Sequence, residues 1–569
     1  MQAHAIRNQL RAWVAVMLVL TFSCGVHADP PSRVGRLGYT IGSVSFSATG
    51  DNHWVQAPVN RPLSNGDRLW TDPGALAEIQ IGTAMVHLNG GTSVSVLNLD
   101  DRIAQLQLAQ GTLHVNVRRL DANQVFEIDT PNLAFTLRHP GDFRIEVDPD
   151  GGATTIIVRR GQGDAYAGDT AYVIDVRQAY RFTGTGLRDY QLVFTPRLDD
   201  FDRWSNERDR AFDNSGSARY VSQDVIGYQD LDASGTWRQD NAYGYVWIPN
   251  HVAADWAPYR DGHWVWLAPW GWTWIDDAPW GFAVSHYGRW TNMRGIWGWV
   301  PGPVRSRAYY APALVVFVGN DNFQLALTSG MVSGVAWFPL APREVYRPSY
   351  PASRSYVENI NRSNTVINNT AIRHLHNTTN VNHVVYANRQ VPGAVIAVPR
   401  TTFEQSHPAS GTAVRASREA LLNTPVTGRA PVAPTERGVR GAVDQGDPAP
   451  ARVLERPVIT RTVPAPVHRG VVAQQPPLTV NPAPVHLPPP APPAPVVQQA
   501  VKHESAPAIQ QTEPRPPLAG PQPAATHPQQ APHLPPRAQD SKPDANPPVH
   551  LRKDRDEPTH EEGQHKRRD

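Results

Sequence analysis

"GDRLWTDPGALAEIQIG", Gly66 to Gly82, sets apolar side chains at every second position between turn residues. A period of two puts those side chains on one face of a β-strand. The same pattern returns in "AMVHLNGGTSVSVLNL" (84–99), "IAQLQLAQGTLHVNV" (103–117) and "AFTLRHPGDFRIEV" (134–147), each bounded by Gly, Asn, Asp or Pro. From Val34 to about Phe182 no helical segment is long enough for a crossover. The fold class is therefore mainly β, with an antiparallel β-sandwich or solenoid-like sheet over residues 29–190.

Further along, "LDDFDRWSNERDRAFDN" (198–214) changes period. Leu198, Phe201, Trp204, Arg208 and Phe212 recur at spacings of three and four, and Asp199, Asp200 and Asp202 gather at the start. Acids at an N-terminus favour the helix dipole. A short amphipathic helix linking two domains is predicted over 195–215.

Twelve of the 17 tryptophans then fall between Trp237 and Trp299. "GTWRQDNAYGYVWIP", "GHWVWLAPWGWTWID" and "GRWTNMRGIWGWVPG" align as three copies of Gly-x-Trp followed by aromatic-Gly-aromatic. Gly244, Gly271 and Gly298 are the aligned glycines, and "GVAWFPLAP" (334–342) is a fragment of a fourth copy. Each copy reads as a β-hairpin, giving a Trp-rich β-hairpin repeat domain over 228–345. The glycines would let bulky rings lie against neighbouring backbone. Two readings of the indoles stand side by side. They fill the core of one curved three-hairpin sheet, or some stand exposed as a stacking platform. In the second reading Trp264, Trp266, Trp272 and Trp274, with Asp261 and His263, hold an envelope glycan or a protein partner.

The ends of the chain speak to location. Arg7 and Arg11 precede an apolar run of 11 residues, Ala12 to Phe22, and Val26-His27-Ala28 supplies a cleavage site. Spanning a bilayer takes about 20 apolar residues. Residues 1–28 are thus expected to be a secretory signal peptide, cleaved to leave no transmembrane segment. Cys24, the sole cysteine, would leave with it, so the mature chain would carry no disulfide or thiolate. Of the 55 prolines, 35 follow residue 390, and a disordered Pro-rich tail is expected over 401–569. A net charge of +2 does not suggest nucleic acid as a partner.

Two resemblances follow from these residues. Gly66-Asp67-Arg68-Leu69 with Thr71, Ala77-Glu78-Ile79, Gly111-Thr112-Leu113 and Phe126-Glu127-Ile128 with Thr130-Pro131 resemble the FecR-like domain, the periplasmic part of ferric citrate uptake regulators. The likeness covers roughly 34–165 and departs at His139-Pro140-Gly141-Asp142-Phe143. "PYRDGHW", "GWTWIDDAPWGFAVSHYGRW" and "GWVPGP" resemble an uncharacterised Trp-rich repeat family that often follows such a domain in secreted bacterial proteins. These likenesses imply an exported protein in the periplasm or outer envelope of a Gram-negative-like bacterium. In the regulators the domain follows a membrane-spanning helix, whereas only a cleavable signal precedes it here.

Catalysis finds little support. Asp276 and Asp277 are strand neighbours and point to opposite faces, so they cannot flank one glycosidic bond. The chain has no nucleophile elbow, phosphate loop or metalloprotease helix motif. His374 and His376 with His383 have metal-ligand types, but in an Asn/Thr-rich stretch (346–400 overall) read as a strand-like appendage. The sequence therefore points to a non-catalytic exported binding or scaffolding protein with no cofactor. An envelope signalling component is the alternative, and a glycan hydrolase a second one.

Overall fold

A computed structural model describes residues 28–327, 330–367, 384–414, 421, 424–441 and 445–466. The expected signal peptide through residue 27, the histidines 374, 376 and 383, and the residues beyond 466 lie outside them.

The alternating segments form one 15-stranded sheet from Gly35–Ile41 to Asp189–Leu192. Every pairing in it is antiparallel except that of Val125–Asp129 with Ile103–Val117. That long strand changes neighbours midway. Its first half pairs with Thr92–Leu99, and its second half with Ala84–Leu88 and with Ala134–Val147. The switch falls at Gly111, whose φ is +97° and where a Cβ would sit 2.4 Å from the Thr92 hydroxyl. A side chain there would clash, so glycine is what lets the strand bend from one layer into the next. Between the layers lies a dry core that includes Leu37, Ile79, Leu106, Leu113, Phe135 and Ile145.

The predicted helix runs over Asp200–Asp213, with Asp199 and Asp202 forming a reciprocal capping box. Phe201 and Phe212 are buried. The helix covers the outer face of the sheet, which is why the polar partners in the alternation, Glu78, His87 and His114, are buried as well, and the turn at Gly227 to Gln229 covers Gln80 in the same way.

All three aligned copies are hairpins: Gly235–Asp240 with Gly244–Pro249, Gly262–Leu267 with Gly271–Asp276, and Arg289–Met293 with Ile296–Val300. They do not make one curved sheet. The first and third join through the Trp247–Trp299 pair, while the second stands as its own two-stranded ribbon. The alignment of Gly298 with Gly244 and Gly271 also needs correction. The first two hairpins turn through three residues, and the third through Arg294-Gly295 alone, both at positive φ. A two-residue turn of that kind suits Gly at its second position. Gly298 is accordingly an interior strand residue facing Thr291.

The fourth fragment belongs to a different sheet. Strand Gly330–Pro339 pairs with Val315–Val318, Gln324–Leu327 and Ile396–Pro399, and Val426–Thr427 extends the edge. Two expectations about the later chain change here. The described part of 346–400 is no appendage, because Tyr356, Ile360, Tyr386 and Ile396 enter the Trp core. It begins with the helix Arg354–Asn364, whose Asn361 and Asn364 are buried and accept from the backbone N–H groups of Tyr346 and Gly288. Nor is the chain free from residue 401. Residues 424–466, where described, run back from the Trp domain across the first sheet. Arg61 donates to the Val439 and Arg440 carbonyls, Gly446 donates to Trp54, Ile459 donates to Thr130, and Ala465 donates to Leu97. The prolines in this stretch forgo ladder bonds of their own, and side chains and loop carbonyls of the first sheet supply the contacts instead.

The two β regions also meet directly. Arg36 is fully buried, with its guanidinium on Asp230 Oδ2 (2.5 Å), Asn60 Oδ1 (2.7 Å) and the Pro279 carbonyl (3.0 Å). Asn60 Nδ2 then donates to the carbonyls of Asp276 and Ala278. Every donor in that chain has an acceptor, which burial of a guanidinium requires.

Candidate functional site

The geometry of each hairpin explains the Gly-x-Trp repeat. A Cβ on Gly235, Gly262 or Gly288 would lie 2.2 to 2.5 Å from the return-strand indole, that of Trp247, Trp274 or Trp299 respectively. The glycine is the seat of the ring. Two of the seated indoles then reach outward to the backbone, Trp247 Nε1 donating to the Leu231 carbonyl and Trp299 to Tyr287, and the buried Trp290 and Trp337 donate likewise to Val284 and Tyr259. Buried indoles whose N–H groups are satisfied work as core cross-links.

This arrangement overturns most of the expected stacking platform. Trp264 and Trp274 face each other across the second hairpin with centroids 5.5 Å apart, and both are buried against Trp337. Trp272 is 7% exposed and donates to the Val432 carbonyl. Ring faces packed on other rings are closed to a ligand. The physical reason lies in the sheet of Gly330–Pro339 and in Phe403 and Val432, which cover the ribbon where an isolated hairpin would have been open.

Asp261 and His263 stand at the far end of the ribbon from its turn. Both are half-buried, and His263 Nδ1 is 3.6 Å from Asp277 Oδ1. Burial raises the Asp261 carboxyl above its usual range, with Arg260 pulling it back down. Asp276 and Asp277 do diverge. Asp276 turns inward to accept from Trp274 Nε1 and Ser285 Oγ, and Asp277 stays at the surface.

The ribbon is most open at its turn, where Ala268 and Pro269 are exposed. Trp266 is half-buried, and a cavity lies on each side of the turn. One, of about 550 Å³, is lined by Trp266, Trp270, Trp272 and Tyr350 among others. The other, of about 670 Å³, lies between the turn and residues 48–53 and 61–67 of the first sheet, with Glu436 and Arg440 closing its third side.

The second cavity carries the stronger chemistry. Arg440 donates to Asp51 Oδ2 (2.7 Å) and approaches His53 Nδ1 (2.9 Å), while His53 Nδ1 also lies 2.8 Å from Asp51 Oδ1. Burial pushes the Asp51 carboxyl up, but hydrogen bonds from Arg440 and His53 outweigh it and hold it at about 2. Asp67, fully buried behind it, goes the other way. Burial pushes it up to about 6 against the pull of Arg61 and of the Ser64 and Thr49 N–H groups. The cleft thus offers an indole, a paired carboxylate and guanidinium, and an exposed imidazole. That is a binding inventory, with apolar surface for a ring and polar groups to orient it. Sequence reasoning missed Asp51, His53 and Arg440 because they come from segments more than 380 residues apart.

Comparisons with known proteins follow the division seen in the fold. Residues 228–344 match a family of unknown function, DUF6600. That span holds the three hairpins, their seated indoles and the strand Gly330–Pro339. It stops short of the first sheet, so the FecR-like resemblance of residues 34–165 stands on its own residues. No curated protein matches the chain. Two crystal structures of a candidate anti-sigma factor from Parabacteroides distasonis are similar to part of it. One has 15% identity and a TM-score of 0.20 over 24% of this chain and 62% of that one. The other has 14% identity and a TM-score of 0.21 over 25% and 64%. This chain thus spans less than two thirds of either.

Proposed function

We propose that the protein is an exported, non-catalytic envelope protein that binds glycan, peptidoglycan in the first instance, at the turn of the second Trp hairpin. The observation that carries this reading is the placement of Trp266 between two cavities, with Asp51, His53 and Arg440 across the larger one. Sugar rings present apolar faces to an indole and hydroxyls to charged side chains, and this cleft supplies both. Export rests on the signal segment, and the absence of catalysis on the divergence of Asp276 and Asp277.

The test is retention of the mature chain on purified peptidoglycan, compared among wild type, Trp266→Ala and His53→Ala. Loss of retention in folded single variants supports the reading. Equal retention in all three, or none in wild type, discards it and leaves a protein partner. The regulatory alternative needs an anchor, so N-terminal sequencing that finds residues 1–28 still attached would favour it.

A further inference from the structure

A polar cluster lies under the 200–213 helix, remote in sequence from the hairpin turn. Glu78, His87 and His114 sit directly across from one another on three adjacent strands. The two imidazoles stack with centroids 5.7 Å apart, and Trp204 of the helix meets His87 edge-on at 5.3 Å. Both histidines are fully buried. Asp209, 4% exposed, descends from the same helix. One ring nitrogen of each histidine and one Asp209 oxygen lie within 4.8 Å of one another.

A second, independent observation concerns how the rings are held. His114 Nε2 is 2.9 Å from Asp142 Oδ1, and the strand irregularity between His139 and Phe143 is what brings Asp142 there. His87 Nε2 is 3.4 Å from Glu78 Oε2, and Glu78 is itself gripped by Arg208 at 2.8 and 2.9 Å. Each imidazole therefore has a carboxylate near one nitrogen. Nδ1 of both rings is buried with no hydrogen-bond partner, and so is Nε2 of His87, whose approach to Glu78 makes no hydrogen bond. Buried polar atoms are nearly always paired. A carboxylate on the far nitrogen is also how proteins orient an imidazole that ligates a metal.

We propose that His87, His114 and Asp209 form a binding site for a divalent first-row transition ion, zinc by ligand type, that clasps the helix to the sheet. Two imidazoles and a carboxylate suit such an ion, whereas calcium and magnesium prefer oxygen alone. Bonds of about 2.1 Å would draw the three ligand atoms to roughly 3.3 Å apart. Asp209 already accepts from Asn116 Nδ2 (2.9 Å) and Arg118 (3.1 Å), which fixes its carboxylate and leaves lone pairs for the ion. The Arg118 charge is shared with Asp213. Burial of all three ligands makes the role structural, with the ion taking the place of the missing hydrogen bonds.

The experiment uses the full mature chain, stripped with a chelator and titrated with Co²⁺. Visible absorption reads the coordination, and elemental analysis after Zn²⁺ loading reads the stoichiometry. The chain has 21 histidines, so the comparison with His87→Gln, His114→Gln and Asp209→Asn isolates this site. The expected result is one equivalent in wild type that is lost, or bound at least tenfold more weakly, in each variant, and a melting temperature that chelation lowers in wild type only. Absorption bands and stoichiometry that are the same in Asp209→Asn as in wild type overturn the proposal. So does a wild type that takes up no equivalent and melts alike with and without chelator, a result that needs no histidine variant to fold.

Discussion

The Thr462 backbone N–H donates to Glu127 Oε1 at 2.9 Å, joining residues 335 apart in sequence. Arg461 N–H donates to the same oxygen, and the Thr462 hydroxyl to Oε2. Beside them Asp129 is pushed up to about 9, by burial first and by the Glu127 charge next, so the pair shares one proton at neutral pH. Three bonds to one carboxylate make Glu127 the side-chain anchor of the end of the returning segment, beside the backbone bonds of Ile459 and Ala465.

Glu127→Ala should therefore loosen the end of that segment while leaving the sheet intact. Bonds to charged acceptors contribute about 1.5–3 kcal/mol each, less when neighbours re-form. We expect a loss of roughly 2 kcal/mol by urea denaturation, with cleavage by added protease appearing after Arg440 and unchanged far-UV circular dichroism. Protection equal to wild type would show that the anchor lies elsewhere.

The seated indoles predict a sharp contrast within one hairpin. Trp274→Ala removes a fully buried ring from between Trp264 and Trp337, and should cost about 3–5 kcal/mol. Trp266→Ala, at the half-open turn, should cost about 1 kcal/mol. Similar losses at the two positions would contradict the division between core and turn.

What could be read from sequence follows from how local each signal was. Alternation in 76–81 and 103–117 is a property of neighbouring residues, and so are the spacing in 198–214 and the repeat of Gly-x-Trp; all four became the elements they suggested. Core filling by the indoles was one of the two readings the repeat allowed, but what covers the ribbon was not legible, because Val432 and Phe403, which cover Trp272, come from a stretch with no period of its own. The histidine cluster was hidden for a related reason. His87 and His114 occupy the polar side of the alternation, and only the descent of Asp209 from a separate helix turns that side into an interior.

Arg36 tests whether the two β regions depend on one another. Removing a single partner from a buried ion pair leaves the other charge uncompensated, at about 3–5 kcal/mol. Asp230→Ala should thus destabilise more than the double variant Arg36→Met with Asp230→Ala. A double-mutant cycle by chemical denaturation gives the coupling, and additive losses would mean that the pair is solvated in solution.

Asp276 predicts a pH dependence whose sign can be worked out. Burial pushes its carboxyl from the usual 3.8 up to about 7, hydrogen bonds from Trp274 and the Ala278 N–H pull against that, and the Asp277 charge adds to it. The folded protein then binds a proton that the unfolded chain has released between these two values. The contribution of Asp276 to stability is full below pH 4, declines as pH rises toward 7, and is flat above that. Asp276→Asn cannot titrate. Its absolute stability should be lower for want of one acceptor, since both carboxylate oxygens accept hydrogen bonds. The difference between wild type and variant should nonetheless shrink steadily between pH 4 and 7. Urea midpoints measured at half-unit intervals would show it, and a difference constant over that range would mean that Asp276 is charged inside the Trp core.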